Sequence, residues 1–305
     1  MTRYKIEFNH YEPGCGCGCT ENDLNIAEQH VHKIFRFEGS EKDAMAEMER
    51  LRKDPEYFCN YGNYWNLTEE KARLVVVSGP SGVGKGPIIE AVKAMYLASE
   101  GRELPQFRVR KTKTARSVEG DEGVGLEGSG DYSAYDCRGT EQRIYWGSLD
   151  SALKNDHVIM EVFHKGLDLI KARYAGDHID VTTVFISPLS KEELEELRSQ
   201  PTGLESYLPD LMLDSLVRRA QKEGKVMTRE LLAELEVRAN GSIDEIKDAK
   251  RYDFVVPNNC YEADSRWGLH KLVGEPHRVV WSVYDLVTTG TSMYAIPGAK
   301  YDINT

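Results

Sequence analysis

An α/β fold built on a parallel sheet is what this 305-residue sequence predicts, and two observations predict it. The first is the stretch Leu74 to Lys93, LVVVSGPSGVGKGPIIEAVK. An apolar, valine-rich run reads as a buried strand, a glycine-rich loop follows, and Ile88, Ile89, Val92 and Met95 then fall on one face of a helix. The second is the alternation of apolar runs with helical patterns from Lys71 onward, the arrangement of a parallel sheet covered on both faces.

Taken in order, residues 1 to 70 read as an N-terminal extension, helical with a Cys-rich loop. Ser40 and Asp43 mark a helix start of capping-box type. Ala44, Met45, Met48 and Leu51 form its apolar stripe, which ends before Pro55. The aromatic-rich run Tyr57 to Trp65 reads as a docking segment. After the first strand, loop and helix come a basic segment (Phe107 to Arg116) and a loop rich in glycine and acid (Glu119 to Gly130). Val158 to Val162 reads as a second strand, Gly166 to Tyr174 as a helix, and Val181 to Ile186 as a third strand. Ser190 and Glu193 open an acidic helix as a capping box. Helical stretches at Asp210 to Glu223 and Thr228 to Lys247 precede a last strand, Tyr252 to Val256, stopped by Pro257. Residues 261 to 305 read as a tail holding one apolar-alternating run, Arg278 to Val287, and a mobile polar end.

Composition narrows the function. A net charge of −11 argues against a general nucleic-acid binder, because phosphate backbones are held by excess Lys and Arg. No apolar run approaches the length of a membrane span, and the N-terminus lacks the apolar core of a signal peptide, so the expected location is the cytoplasm. Cys15, Cys17 and Cys19, with His30 and His32 nearby, carry ligand types that suit zinc. Their spacing is not that of a Cys-x-x-Cys knuckle, and a solvent-exposed loop is the preferred reading, so no metal ligand is assigned.

The loop between strand and helix carries the chemistry. In Gly79-Pro-Ser81-Gly82-Val83-Gly84-Lys85-Gly86 the glycines let consecutive N–H groups and the helix N-terminus point at an anion, while Lys85 adds a flexible cation. The spacing is that of a nucleoside triphosphate site. One departure is internal: Gly86 and Pro87 stand where a Ser or Thr would offer Mg²⁺ a hydroxyl. A second signal is the density of cations in Arg108, Arg110, Lys111, Lys113 and Arg116, which suits either an anion site or a solvated basic face.

With GPSGVGKG, VIMEVFHKG, VFISPLSKEELEEL and YDFVVPNN in this order, residues 73 to 260 resemble the guanylate kinases. The resemblance implies a three-layer P-loop kinase with a parallel sheet, an acceptor-binding subdomain at about 107 to 148 and a helical lid at about 198 to 238. It implies transfer of the γ-phosphoryl of ATP to GMP or dGMP with Mg²⁺, with Lys85, Arg218 and Arg238 acting on the transferring group. The family's acceptor-phosphate run, Thr-Thr-Arg-x-x-Arg-x-x-Glu, resembles the stretch from Thr112, which assigns Lys113, Arg116 and Glu119. The family's Tyr-Gly-Ser/Thr resembles Trp146-Gly147-Ser148, and Asp136 is the candidate reader of the base edge. Glu161 remains from the family's strand-end acids, whereas its aspartate is replaced here by Phe163. Asn258 falls on the family's asparagine near adenine. Two alternatives stand beside this reading: a P-loop kinase for another phosphorylated small molecule, and a non-catalytic guanylate kinase-like interaction module. The N-terminal extension suits a protein partner or a second copy of the chain.

Overall fold

A computed structural model describes residues 2–10, 30–54, 63–69, 71–111, 130–176, 179–200, 203–269 and 271–301. The chain divides into two compact units, Met1–Lys71 and Ala72–Thr305.

The first unit is more than a helix and a loop. Strands β1 (Thr2–His10), β2 (His30–Gly39) and β3 (Asn63–Glu69) form an antiparallel sheet in the order β2-β1-β3, and helix α1 (Glu41–Arg52) belongs to the same unit. The period-two alternation that makes β1 a strand is visible at Tyr4, Ile6 and Phe8. Ile6 is fully buried with Met48 and Leu51, and Phe35, Trp65 and Leu67 pack against them. Ser40 caps α1, its Oγ accepting from the Asp43 N–H at 3.2 Å. The buried stripe is narrower than expected: Ala44, Met48 and Leu51 face inward, whereas Met45 is exposed. Cys15, Cys17 and Cys19 and the aromatic residues 57–62 lie outside the described residues.

The second unit opens with β4 (Arg73–Ser78), α2 (Lys85–Glu100), β5 (Gln106–Arg108) and β6 (Arg110–Lys111). A hairpin follows, β7 (Tyr132–Cys137) and β8 (Thr140–Tyr145), then α3 (Trp146–Asn155), β9 (Val158–Glu161), α4 (Leu167–Arg173) and β10 (Asp180–Ser187). The remaining elements are α5 (Lys191–Arg198), α6 (Gly203–Lys222), α7 (Arg229–Asn240), α8 (Ser242–Lys247), β11 (Phe254–Pro257), α9 (Glu275–Thr288) and β12 (Ile296–Pro297). The main sheet runs β12-β11-β10-β4-β9-β5, parallel throughout except for the edge strand β12.

The period of two along each strand explains why there are three layers. Leu74 and Val76, with Met160, Phe185 and Val255, enter one core together with α3, α4 and α6. Val75 and Val77, with Ile159, Val184, Ile186 and Val256, enter a second core against α2 and α9. Every one of these residues is fully buried, so both faces of the sheet need a helical cover. Strands β6, β8 and β7 make a separate antiparallel sheet.

Three expectations change. The run Arg278 to Val287 is helical: α9 buries Val279, Val280, Val283, Leu286 and Val287 at helical spacing, so its apparent alternation came from a wide apolar face. Beyond it the described chain is anchored at Tyr301, which is buried with its hydroxyl 2.6 Å from both Ser187 Oγ and Leu189 O. Helix α6 begins at Gly203 and carries Pro209 inside it, and the stretch from Thr228 breaks at Gly241 into α7 and α8. Among the described residues no helix is long and apolar enough to cross a membrane.

Candidate active site

The C-terminal ends of β4, β9 and β5 open into a cleft of about 430 Å³ bounded by the glycine loop, the β7–β8 hairpin and α7–α8. The glycine loop leaves β4 with its backbone turned by three left-handed residues, Gly79, Gly82 and Gly84, at φ of 140°, 87° and 99°. Two of them are forced by close approach as well. A Cβ at Gly79 would stand 2.3 Å from Ile186 O, and one at Gly84 would stand 2.9 Å from Asn258 Nδ2.

The loop's acceptors and donors are sorted. Lys85 Nζ donates to Gly79 O at 2.7 Å and Pro80 O at 2.9 Å. Gly82 O accepts from Ser215 Oγ at 2.8 Å and from Glu262 N–H at 3.1 Å, and Val83 O accepts from Asn258 Nδ2 at 2.6 Å. The N–H groups of Ser81, Gly82, Gly84, Lys85 and Gly86, by contrast, have no hydrogen-bond acceptor among the described residues. Helix α2 has no side-chain cap on Gly84, so its N-terminus adds to this array of open donors.

Glu161 closes the site on the β9 side. Its register opposite Val77 places its carboxylate 3.5 Å from Lys85 Nζ. Arg108 and Lys111 also line the cleft, as does Arg238 of α7. Burial and the neighbouring guanidiniums of Arg219 and Arg138 weaken Arg238's hold on its proton. Glu245 of α8 is the buried counter-charge: burial raises its pKa, and the cations Arg138, Lys85 and His164 oppose that rise.

Several residues singled out in the sequence stand elsewhere. Asn258 is fully buried, with its amide spent on Val83 O, on Cys260 O at 2.9 Å and on the Cys260 N–H at 3.0 Å, so it braces the loop and has no group left for a base. Trp146 is core: its indole N–H donates to Ser133 Oγ at 3.1 Å and its ring meets Tyr174 edge-on. Ser148 is exposed in the first turn of α3, outside the cleft lining. Asp136 is exposed and accepts the Gly139 N–H at 3.0 Å, a turn-forming bond, and it too lies outside the lining. Arg218 is 69% exposed and pairs with Asp214 on its own helix, whereas Arg219 turns inward to Glu262 at 2.8 Å. Lys113, Arg116 and Glu119 lie outside the described residues.

Among the cleft residues missed from sequence are Arg138 and Glu245. For Arg138 a signal existed, since Arg-Gly between two strand-like runs marks a two-residue hairpin loop. Glu245 carries none, because nothing in SIDEIK separates a buried acid from a surface one.

The sheet order, with β4 central and the glycine loop between it and α2, is an α/β arrangement compatible with a P-loop kinase. No protein-family model matches the chain. It is similar to the guanylate kinase of Bdellovibrio bacteriovorus, 26% identical over 212 residues that cover 63% of this chain and 91% of that protein. That similarity supports a distant relationship to the guanylate kinases.

Proposed function

We propose that the chain transfers the γ-phosphoryl group of ATP to a nucleoside monophosphate, GMP or dGMP in the first instance. The observation that carries this reading is the sorting of the glycine loop, whose carbonyls are satisfied by Lys85, Ser215, Asn258 and Glu262 while its N–H groups are left for an anion. Backbone donors and a helix N-terminus of this kind suit the β and γ phosphates, with Lys85 as the mobile cation. Arg238 and Arg219 supply charge from the lid side, where phosphoryl transfer depends on positioning and electrostatics rather than on a base. Mg²⁺ takes oxygen ligands and shares them with phosphates. Gly86 offers no hydroxyl, and Glu161 at the rim of the cleft is the carboxylate that fits. Mg²⁺ bound there with ATP would neutralise charge developing on the phosphates.

A second reading, a P-loop kinase for a different phosphorylated acceptor, is favoured by Phe163. Its ring, not a carboxylate, lines the cleft, with the Arg138 guanidinium 4.8 Å from its centroid. A coupled ADP-release assay with Mg·ATP tests both, screening GMP, dGMP, the other nucleoside monophosphates and phosphorylated sugars. Turnover of GMP or dGMP is expected. Turnover of another acceptor alone selects the second reading, and no turnover of any acceptor overturns both.

A further inference from the structure

Arg138 stands where the donor and acceptor sides of the cleft meet. It is the first residue of the two-residue loop between the paired Cys137 and Thr140. Both loop residues have positive φ, 52° at Arg138 and 80° at Gly139, and Arg138 is alone among the described non-glycine residues in this. Such loops favour Asn-Gly or Gly-Gly, and a left-handed backbone is strained for a side chain of this size. An arginine held there against its backbone preference points to the use of its side chain.

That side chain reaches away from its own hairpin. Nη1 donates to Ser81 Oγ on the glycine loop at 3.1 Å, and Nη2 donates to the buried carboxylate of Glu245. The face of the guanidinium lies over Phe163 at the end of β9. Three segments distant in sequence therefore fix one fork. Two of its five N–H groups are so used, and the others have no partner among the described residues. Lys85, Arg108, Lys111 and Arg238 line the same cleft, so with Arg138 five cations there face three carboxylates, Glu90, Glu161 and Glu245. The surplus positive charge suits an anion carried between the glycine loop and the acceptor.

We infer that Arg138 is a catalytic arginine delivered in cis by the acceptor hairpin, holding the phosphoryl group during transfer. This rests on the kinase reading of the cleft. In the step it serves, an oxygen of the acceptor's phosphate, already deprotonated, forms a bond to the γ-phosphorus. The bond from that phosphorus to the β,γ-bridging oxygen breaks, and its electron pair leaves with ADP. No proton moves. Arg138 keeps its own and donates N–H bonds to the equatorial oxygens as charge spreads over them.

The test uses the full chain, Arg138→Asn and Arg138→Lys. Asparagine suits the left-handed loop position, so the first variant keeps the hairpin while removing the guanidinium. Loss of γ-phosphoryl from Mg·ATP is followed with GMP and with water alone as acceptor, and Mg·ATP affinity is read by calorimetry. Expected is a fall in kcat on the order of 10³-fold in both variants, with Mg·ATP affinity changed less than about threefold. A merely structural arginine would show the reverse split, with weakened binding or a lowered melting temperature and little change in kcat per folded molecule. Arg138→Asn with kcat within about threefold of the parent overturns the inference while leaving the kinase reading intact. A parent chain that binds no Mg·ATP overturns both.

Discussion

The glycine loop and the hairpin–lid side face each other across one cleft, and they are built in opposite ways. On the loop side the groups are backbone N–H groups from one continuous segment, turned by glycines at positive φ, two of which leave no room for a Cβ. On the facing side they are side chains, Arg138, Arg238 and Glu245, gathered from a hairpin loop and two helices. A backbone site is stored in local spacing. A side-chain site is stored in the lengths of everything between its members, and one shifted turn would dissolve it.

Removing a charge from the loop side sharpens that contrast most. Lys85→Ala leaves the loop carbonyls of Gly79 and Pro80 without their ammonium partner and the phosphates without their cation. The expected fall in kcat is on the order of 10³-fold, the size seen when one preorganised electrostatic partner is lost. Steady-state kinetics with Mg·ATP checks it, and unchanged turnover would remove the glycine loop from the chemistry.

A smaller effect is expected behind the loop. Asn258→Ala strands Val83 O and the Cys260 N–H in a fully buried place, at a cost of ~2 kcal/mol in unfolding free energy. As Val83 and Gly84 relax, Mg·ATP binding should weaken about tenfold, roughly 1.4 kcal/mol. Denaturant unfolding and titration calorimetry read the two separately. A destabilised protein with unaltered Mg·ATP affinity would show that the loop holds its shape without this brace.

What could be read from the sequence follows the same division. The strand β4, the loop and α2 were legible because valine burial, glycine spacing and helical period all agree within Leu74–Lys93. The Ser190 capping box was legible for the same local reason, and both of its hydrogen bonds are present, Ser190 N to Glu193 Oε2 at 2.7 Å and Glu193 N to Ser190 Oγ at 3.2 Å. Strand β5 was not, because a three-residue run with a half-exposed pattern is defined only by its register on β9. Trp146 and Asn258 were placed in the site by their motifs, but motif position says nothing of which way a side chain turns. The Trp146 indole faces the core, and the Asn258 amide faces the loop backbone.

The two adjacent lid arginines give the finest test, since sequence cannot rank them and geometry does. Arg219 is 24% exposed and bonds Glu262, whose own N–H holds Gly82 O, so it joins α6 to the glycine loop. Its guanidinium also feels Glu161 and adds to the charge around Arg238. Arg219→Ala should lower kcat about tenfold, the ~1.4 kcal/mol of one partly buried charge contact. Arg218 holds only an exposed pair with Asp214 one turn back, worth about 0.3–0.5 kcal/mol. Arg218→Ala should therefore change kcat by less than about twofold, since 0.4 kcal/mol is roughly a factor of two. If the two variants exchange these outcomes, α6 rotates during turnover, and the lid must move to complete the facing side while the glycine loop stays as built.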